Sequence, residues 1–516
     1  MIDEYFYEVV ALAALVGGGL FLAGLRNPVV FFYAGLFGTA ILKTPELPIV
    51  REKFTIVELC LLCLWMCWPL LLKSRLPSKS TGLIYLWGGG FCIVCLSSSL
   101  IAITTAPPRM VTTRMAAWSL LEAINYCYGV AILWTCVQVL DTWQRWVGAI
   151  MSWVGGMAVA SFVGAAAVAG VAPGWAYEET GRINSTLRNE NQVPSMILPL
   201  LVIVLMIAVR RGLLMRYRGL ALMIFIAALL TAVGTGSRTA ALMIGLSGAG
   251  VVWILHSAMR SKLSVYRFQL VNLAIAFAGL VVVYFAFAWS QYDGKYSLMS
   301  TPSWQRPAVL LIEWSEGKRK IDYTRPQQIQ NAMEYFWHSP VLGTGPKFGP
   351  AFAATGGEVH NTYFSLLLET GFVGLGAFLA LIWLAAYLGF EAARKCRYPW
   401  YGILGRALIV GLFLLCLYNA TMLGLRQRNI WFLLGMLLAF SDLVLSGVRP
   451  DTTMPRWIPQ GWKAIYVDED GDEDVSQTTQ PALPGIGPVN PGWRPPALAG
   501  RSGKPDEATK SSAKRS

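Results

Sequence analysis

The sequence predicts an all-α, polytopic integral membrane protein, and three observations carry that prediction. Of the 516 residues, 55% are hydrophobic and only 14% are charged, where a soluble domain carries roughly 25% charged residues. The mean hydropathy is +0.51. Apolar runs of membrane-spanning length recur along the chain, separated by short polar links that alternate in charge. A secreted disulfide scaffold, a nucleic-acid-binding module and a disordered chain are excluded by the same numbers.

The runs fall at 9–25, 28–42, 54–72, 82–103, 116–140, 147–171, 193–209, 219–234, 239–256, 268–289, 371–389, 403–423 and 430–446. A helix needs about 20 apolar residues to cross the hydrocarbon core, which gives about 13 transmembrane helices, the second being short. The opening residues, Asp3, Glu4 and Glu8, lack the basic region of a cleaved signal, so the first run is expected to stay as an anchor.

Orientation follows from the links. Arg26; Lys73, Arg75 and Lys79; Arg145; Arg210, Arg211, Arg216 and Arg218; Arg260, Lys262 and Arg267; and Arg394, Lys395 and Arg397 all fall on one side. Links dense in Lys and Arg stay in the cytoplasm, which places the N-terminus outside and the C-terminus inside. The net charge of +13 is thereby explained by topology, with no nucleic-acid partner.

Two outer connections are unusual. The longer, 290–361, holds Pro302, Trp304, Arg306, Lys318, Arg319, Lys320 and Arg325. A loop of that length without function is uncommon, and short helices are expected in it around Pro326–His338. The other, 172–192, holds Glu178, Glu179, Arg182, Asn184, Arg188, Asn189, Glu190 and Asn191. From 447 the chain turns rich in Pro, Gly, Ser and Thr, with an acidic cluster from Asp468 to Asp474, and a disordered cytoplasmic tail is expected. Three regions result: N-terminal transmembrane helices at 1–171, a catalytic membrane region at 172–446 that includes the outer loop 290–361, and the tail at 447–516.

Several chemistries are disfavoured. No G-x-x-x-x-G-K-[ST] loop is present, closely spaced Asp pairs occur only in the tail, and the three histidines (His256, His338, His360) form no zinc pattern. The pairs Cys60/Cys63 and Cys92/Cys95 lie inside apolar runs and read as packing residues. No cofactor and no metal is expected, so an activated substrate must bring its own leaving group.

Four polar segments on the outer face remain. Gly181 to Asn191 precedes the seventh span; Gly234-Thr235-Gly236-Ser237-Arg238 turns between spans eight and nine; Arg325 leads towards Ser339-Pro340-Val341-Leu342-Gly343-Thr344-Gly345; and His360-Asn361-Thr362-Tyr363 runs on to Glu369-Thr370-Gly371. Asn361 is a good N-cap, so the helix it starts points its N–H groups at the outer loop and favours an anion there. The same positive end holds His360 neutral and able to accept a proton. Arg182, Arg238 and Arg325 could converge on a diphosphate through forked hydrogen bonds and stabilise its departure. Glu369 lies near or within the membrane, where a carboxylate needs a partner, and an arginine is the expected one. Each has a structural alternative: Arg238 ending a helix at the interface, Arg325 capping or pairing within its loop, Glu369 serving the fold.

In order, these segments resemble the O-antigen ligase and O-antigen polymerase superfamily of bacterial envelope proteins. The likeness covers 180–390 and is best where Pro340-Val341-Leu342-Gly343-Thr344-Gly345, His360-Asn361-x-Tyr363 and Glu369-Thr370-Gly371-Phe372-Val373-Gly374-Leu375 follow one another. The resemblance implies glycan transfer at the outer face of the inner membrane. The donor would be a saccharide on undecaprenyl pyrophosphate, and an acceptor hydroxyl on a glycan or lipid would attack its anomeric carbon. By resemblance His360 is the base or acceptor-orienting group, and Arg182, Arg238 and Arg325 contact the pyrophosphate. Asn361, Asn189, Asn191, Arg188 and Glu369 complete the expected substrate-binding set. One departure stands out: Asn189-Glu190-Asn191 puts an acid where relatives often have proline. An exporter or flippase of lipid-linked saccharide is the alternative, but it would need polar residues continued through the bundle to both faces.

Overall fold

The computed structural model describes residues 17–42, 55–71, 79–105, 113–178, 182–210, 213–259, 309, 329–330, 333–334, 336–347, 359–422 and 424–450. All belong to one compact unit, residues 1–471. Among them the chain is helical throughout and has no strand, only an isolated bridge between Tyr177 and Ile183.

The helices are α1 (17–26), α2 (Val29–Gly38), α3 (Ile56–Leu71), α4 (Lys79–Thr105), α5 (Thr113–Val139), α6 (Trp143–Val168), α7 (Gln192–Ala208), α8 (Met215–Gly234), α9 (Arg238–Met259), α10 (Thr362–Lys395), α11 (Pro399–Asn419) and α12 (Arg428–Leu445). Among the described residues seven helices are long and apolar enough to cross a membrane: α4, α5, α6, α8, α10, α11 and α12. Shorter apolar helices occur at Val29–Gly38, Ile56–Trp68, Gln192–Ala208 and Thr239–Ile254. The expected run at 268–289 lies outside the described residues, as do Arg325 and the tail from 451.

Two helices form the centre. Every residue of α7 from Val193 to Ala208 is buried, and so is α12 from Asn429 to Leu443. A helix buried on every side packs among other helices and leaves no face for lipid. α6, α8, α9 and α11 surround α7, while α5, α10 and α11 pack on α12. Pro199 sits inside α7, and Gly411 of α11 lies so close that a Cβ there would stand 2.6 Å from the Pro199 carbonyl oxygen. Small residues at such crossings let helices approach in an apolar medium.

The helix ends sort into two groups. At one end Arg145 pairs with Asp141, Arg210 stacks over Trp400, Arg218 donates to the Ala208 carbonyl, and Trp143 stacks on Tyr401 with ring centroids 4.4 Å apart. These are the basic links expected in the cytoplasm. The opposite end gathers the termini of α2, α3, α5, α6, α10, α11 and α12 with the segment 182–191.

α10 is broken. Gly371 has φ +66° and ψ −168°, so 362–370 and 372–395 are two helices end to end. The segment 340–345 fills the break. Thr344 N and Gly345 N donate to the Leu368 and Glu369 carbonyls at 2.8 and 2.9 Å, while Phe372 N donates to the Pro340 carbonyl at 2.9 Å. Backbone groups that a helix loses at a break must be satisfied nearby, above all in a membrane. Gly343 (φ +73°) crosses Gly371 so tightly that a Cβ on either would meet backbone atoms at 2.2–2.6 Å. This crossing is the physical content of the Gly343-Thr344-Gly345 and Glu369-Thr370-Gly371 motifs.

Candidate functional site

The outer-type end holds a cavity of about 470 Å³. Its walls come from far apart in the sequence: Thr39 and Leu42 at the end of α2, Glu122 and Asn125 in the first half of α5, Leu187 to Asn189 with Asn191 and Gln192, Lys347, His360, Met422, and Arg426 to Asn429. The basic side chains lining it are Arg188, Lys347, Arg426 and Arg428, with His360 exposed beside them.

The short link between α11 and α12 supplies two of those cations, each held by a carboxylate from a different helix. Arg426 Nε donates to Glu122 of α5, which is fully buried. Arg428 Nε and Nη2 both meet Glu58 Oε1 of α3 at 2.7 Å. Glu58 also takes Thr55 N at 2.7 Å and the Tyr128 hydroxyl at 3.4 Å. A carboxylate inside an apolar helix is costly unless paired, and these two pairings fix the direction of both guanidinium forks. The link is joined to the His360 segment through Thr362, whose hydroxyl donates to the Met422 carbonyl and accepts from Gly424 N, both at 2.6 Å.

His360 stands one residue before the cap of α10. Asn361 caps as its position predicts, its Oδ1 accepting from Tyr363 N at 3.0 Å and Phe364 N at 3.1 Å. That oxygen serves the helix, and Asn361 does not line the cavity. Leu368 of the first half of α10 packs with Phe336 and Val359 in a small apolar cluster of their own. Positions 329, 330, 333, 334 and 336 are helical, in line with the short helix expected there.

Arg188 donates to the Leu42 carbonyl at 3.0 Å, and the Thr186 hydroxyl to the Ala40 carbonyl at 2.5 Å. Both therefore satisfy carbonyls left open where α2 ends. Asn189 accepts from Asn191 N at 2.7 Å, and the Asn191 carbonyl accepts from the Tyr418 hydroxyl at 3.0 Å. Arg182, expected at the diphosphate, turns elsewhere: it donates to the Thr235 carbonyl at 2.9 Å and pairs with Glu190. The acid that departs from the family's usual proline is thus the partner of Arg182. Burial first, and a hydrogen bond with Glu178 second, push the Glu190 carboxyl above its ordinary value, against the pull of Arg182.

Arg238 is the first residue of α9, immediately after this Thr235 turn. Glu369 is buried at the break of α10 and does not line the cavity. Among the described residues it accepts from the Tyr126 hydroxyl at 2.6 Å, the Ser365 hydroxyl at 3.3 Å and Lys347 N at 3.4 Å, and the arginine that acts on its charge is Arg426.

The structure thus brings together His360, Arg188, Asn189 and Asn191 from the expected set and adds Arg426, Arg428, Lys347 and Glu122. The signals for the added residues were present in the sequence. Arg426 and Arg428 put positive charge in a link that the expected topology places outside, against the usual bias, and Glu58 and Glu122 are acids inside apolar runs that call for basic partners.

Residues 223–379 match the sequence family described as O-Antigen ligase. Over that stretch the chain is similar to O-antigen ligases. The stretch contains the second half of α8, α9, His360, Glu369 and the break at Gly371, and it includes the positions of Arg238 and Arg325. No curated protein matches the chain significantly. The apolar helices and this likeness together point to a membrane-embedded protein, and the likeness supports a glycan ligase or polymerase role.

Proposed function

We propose that this protein transfers a saccharide from an undecaprenyl-pyrophosphate-linked donor to an acceptor hydroxyl, at the outer face of a bacterial inner membrane. The observation that carries the reading is the cavity in which exposed His360 faces Arg188, Arg426 and Arg428 at one end of an apolar bundle. A departing lipid pyrophosphate is an acceptor-only dianion or more, and forked guanidiniums match it in charge and geometry. His360 takes the proton of the acceptor hydroxyl as that oxygen bonds to the anomeric carbon and the carbon–phosphate oxygen bond breaks. The electron pair leaves with the diphosphate, whose charge the arginines stabilise. No metal has a step in this scheme.

Arg238 and Arg325 are proposed as further diphosphate contacts, as the resemblance implies. Arg182 is proposed to act at one remove, by holding the Thr235 turn against Glu190 so that α9 starts in place. The region 172–446 is proposed as catalytic, with 1–171 contributing Glu58 and Glu122 to its wall. The exporter reading would need a polar path onward through the bundle, whereas the middles of α7 (Met196 to Ala208) and α12 (Ile430 to Phe440) are apolar and buried.

The test is the surface-glycan profile of a deletion strain complemented with wild type or with His360→Ala at matched expression. A bare acceptor with accumulated lipid-linked polymer marks a ligase, and a single repeat on the acceptor marks a polymerase. Restoration by His360→Ala equal to wild type would remove His360 from the chemistry.

A further inference from the structure

Lys347 combines three features that do not occur together by packing alone. It lines the cavity beside Arg188, Arg426 and Arg428. Its backbone is left-handed, with φ +51°, a conformation that costs a non-glycine residue through contact of its Cβ with the backbone. Its amide N–H is directed at Glu369 Oε1, 3.4 Å away, while the other oxygen of that buried carboxylate holds the Tyr126 hydroxyl at 2.6 Å.

The chain could place glycine at 347 and relieve the strain, as it does at the neighbouring left-handed positions Gly343 and Gly345. It places a lysine there instead. The left-handed turn re-aims the side chain after Pro346, and its Nζ lies 5.1 Å from the centre of the Trp118 ring at the start of α5. An aromatic face attracts an ammonium electrostatically and steadies its position at the cavity wall.

We infer that Lys347 is a further contact to the donor's diphosphate and that Glu369 is its positioning residue, acting through the Lys347 backbone and Tyr126. This deepens the donor-site reading above and rests on it. It also gives Glu369 a task that does not require it to touch substrate.

The test uses the purified full-length protein in detergent, with binding of undecaprenyl pyrophosphate and thermal unfolding measured side by side. Lys347→Gly should weaken binding by about tenfold, the loss of one charge-assisted contact, while the Tm stays at or above that of wild type. Lys347→Arg, which keeps the charge, should bind within about threefold of wild type. Glu369→Gln keeps an acceptor oxygen towards residue 347 and should bind better than Glu369→Ala. The assignment is overturned if Lys347→Gly binds as wild type does, or loses affinity only together with a fall in Tm. Failure of the wild-type protein to bind undecaprenyl pyrophosphate would overturn the donor-site reading and this assignment with it. Wild-type binding with an indifferent Lys347→Gly would remove this assignment alone.

Discussion

Arg428 reaches Glu58 across 370 positions of sequence, its Nε and Nη2 both 2.7 Å from one carboxylate oxygen. The two side chains are only 18% and 11% exposed, so water relieves each charge only in part. Truncating one partner leaves the other half-buried and uncompensated. Glu58→Ala is therefore expected to destabilise the protein by about 3 kcal/mol, read by thermal unfolding in detergent. Replacing both residues by methionine should recover most of that stability without restoring transfer. A double variant that regained transfer would make the Arg428 pair purely structural.

His360 and Asn361 are neighbours with separable roles. His360 is exposed at the cavity, and Asn361 spends its side chain on the first turn of α10. His360→Ala should leave stability within about 0.5 kcal/mol of wild type while abolishing transfer. Asn361→Ala should cost about 1 kcal/mol and reduce transfer only partly. The pair is tested by measuring Tm and turnover on the same preparations.

The crossing of Gly343 and Gly371 tolerates no side chain. Gly371→Ala would force a Cβ to within 2.2 Å of the Val341 carbonyl oxygen at a left-handed φ. It should cost at least about 3 kcal/mol, with Gly343→Ala comparable, because each adds a clash to backbone strain. Both should appear as low yield of folded protein, and Gly376→Ala, with open space around it, as near wild type.

Much of this was legible in the sequence, and what was not has a physical reason. Hydropathy placed a span at 371–389, and its first residue is the one at which α10 breaks. The N-cap at Asn361 was readable because capping is local chemistry. Arg426 and Arg428 were missed because their link is only a few residues between two apolar runs, and their acids lie in helices more than 300 positions earlier. Pairings of that range leave no periodicity to read. Arg182 was readable as an outer arginine, but which group it meets depends on Glu190 and Thr235, brought together only by the fold.

Glu190 should leave a pH signature. With its pKa raised in the folded protein, the carboxyl holds its proton more tightly folded than unfolded. The stability it contributes is complete below the ordinary value of 4.5 and is lost as pH rises through the higher folded value. The Tm of wild type should therefore decline relative to Glu190→Gln as pH rises from 4.5. Parallel Tm profiles for the two proteins would show that Glu190 titrates no differently in the folded chain.

The break in α10 also sets a distance. The half-helix before it, 362–370, rises about 14 Å at 1.5 Å per residue. His360 precedes that half-helix, so its separation from the Gly343–Gly371 crossing is measured by the length of 362–370. Removing one helical turn from 362–370 would draw His360 about 5 Å towards the crossing and away from Arg426 and Arg428, whose positions are held by Glu122 and Glu58 on other helices.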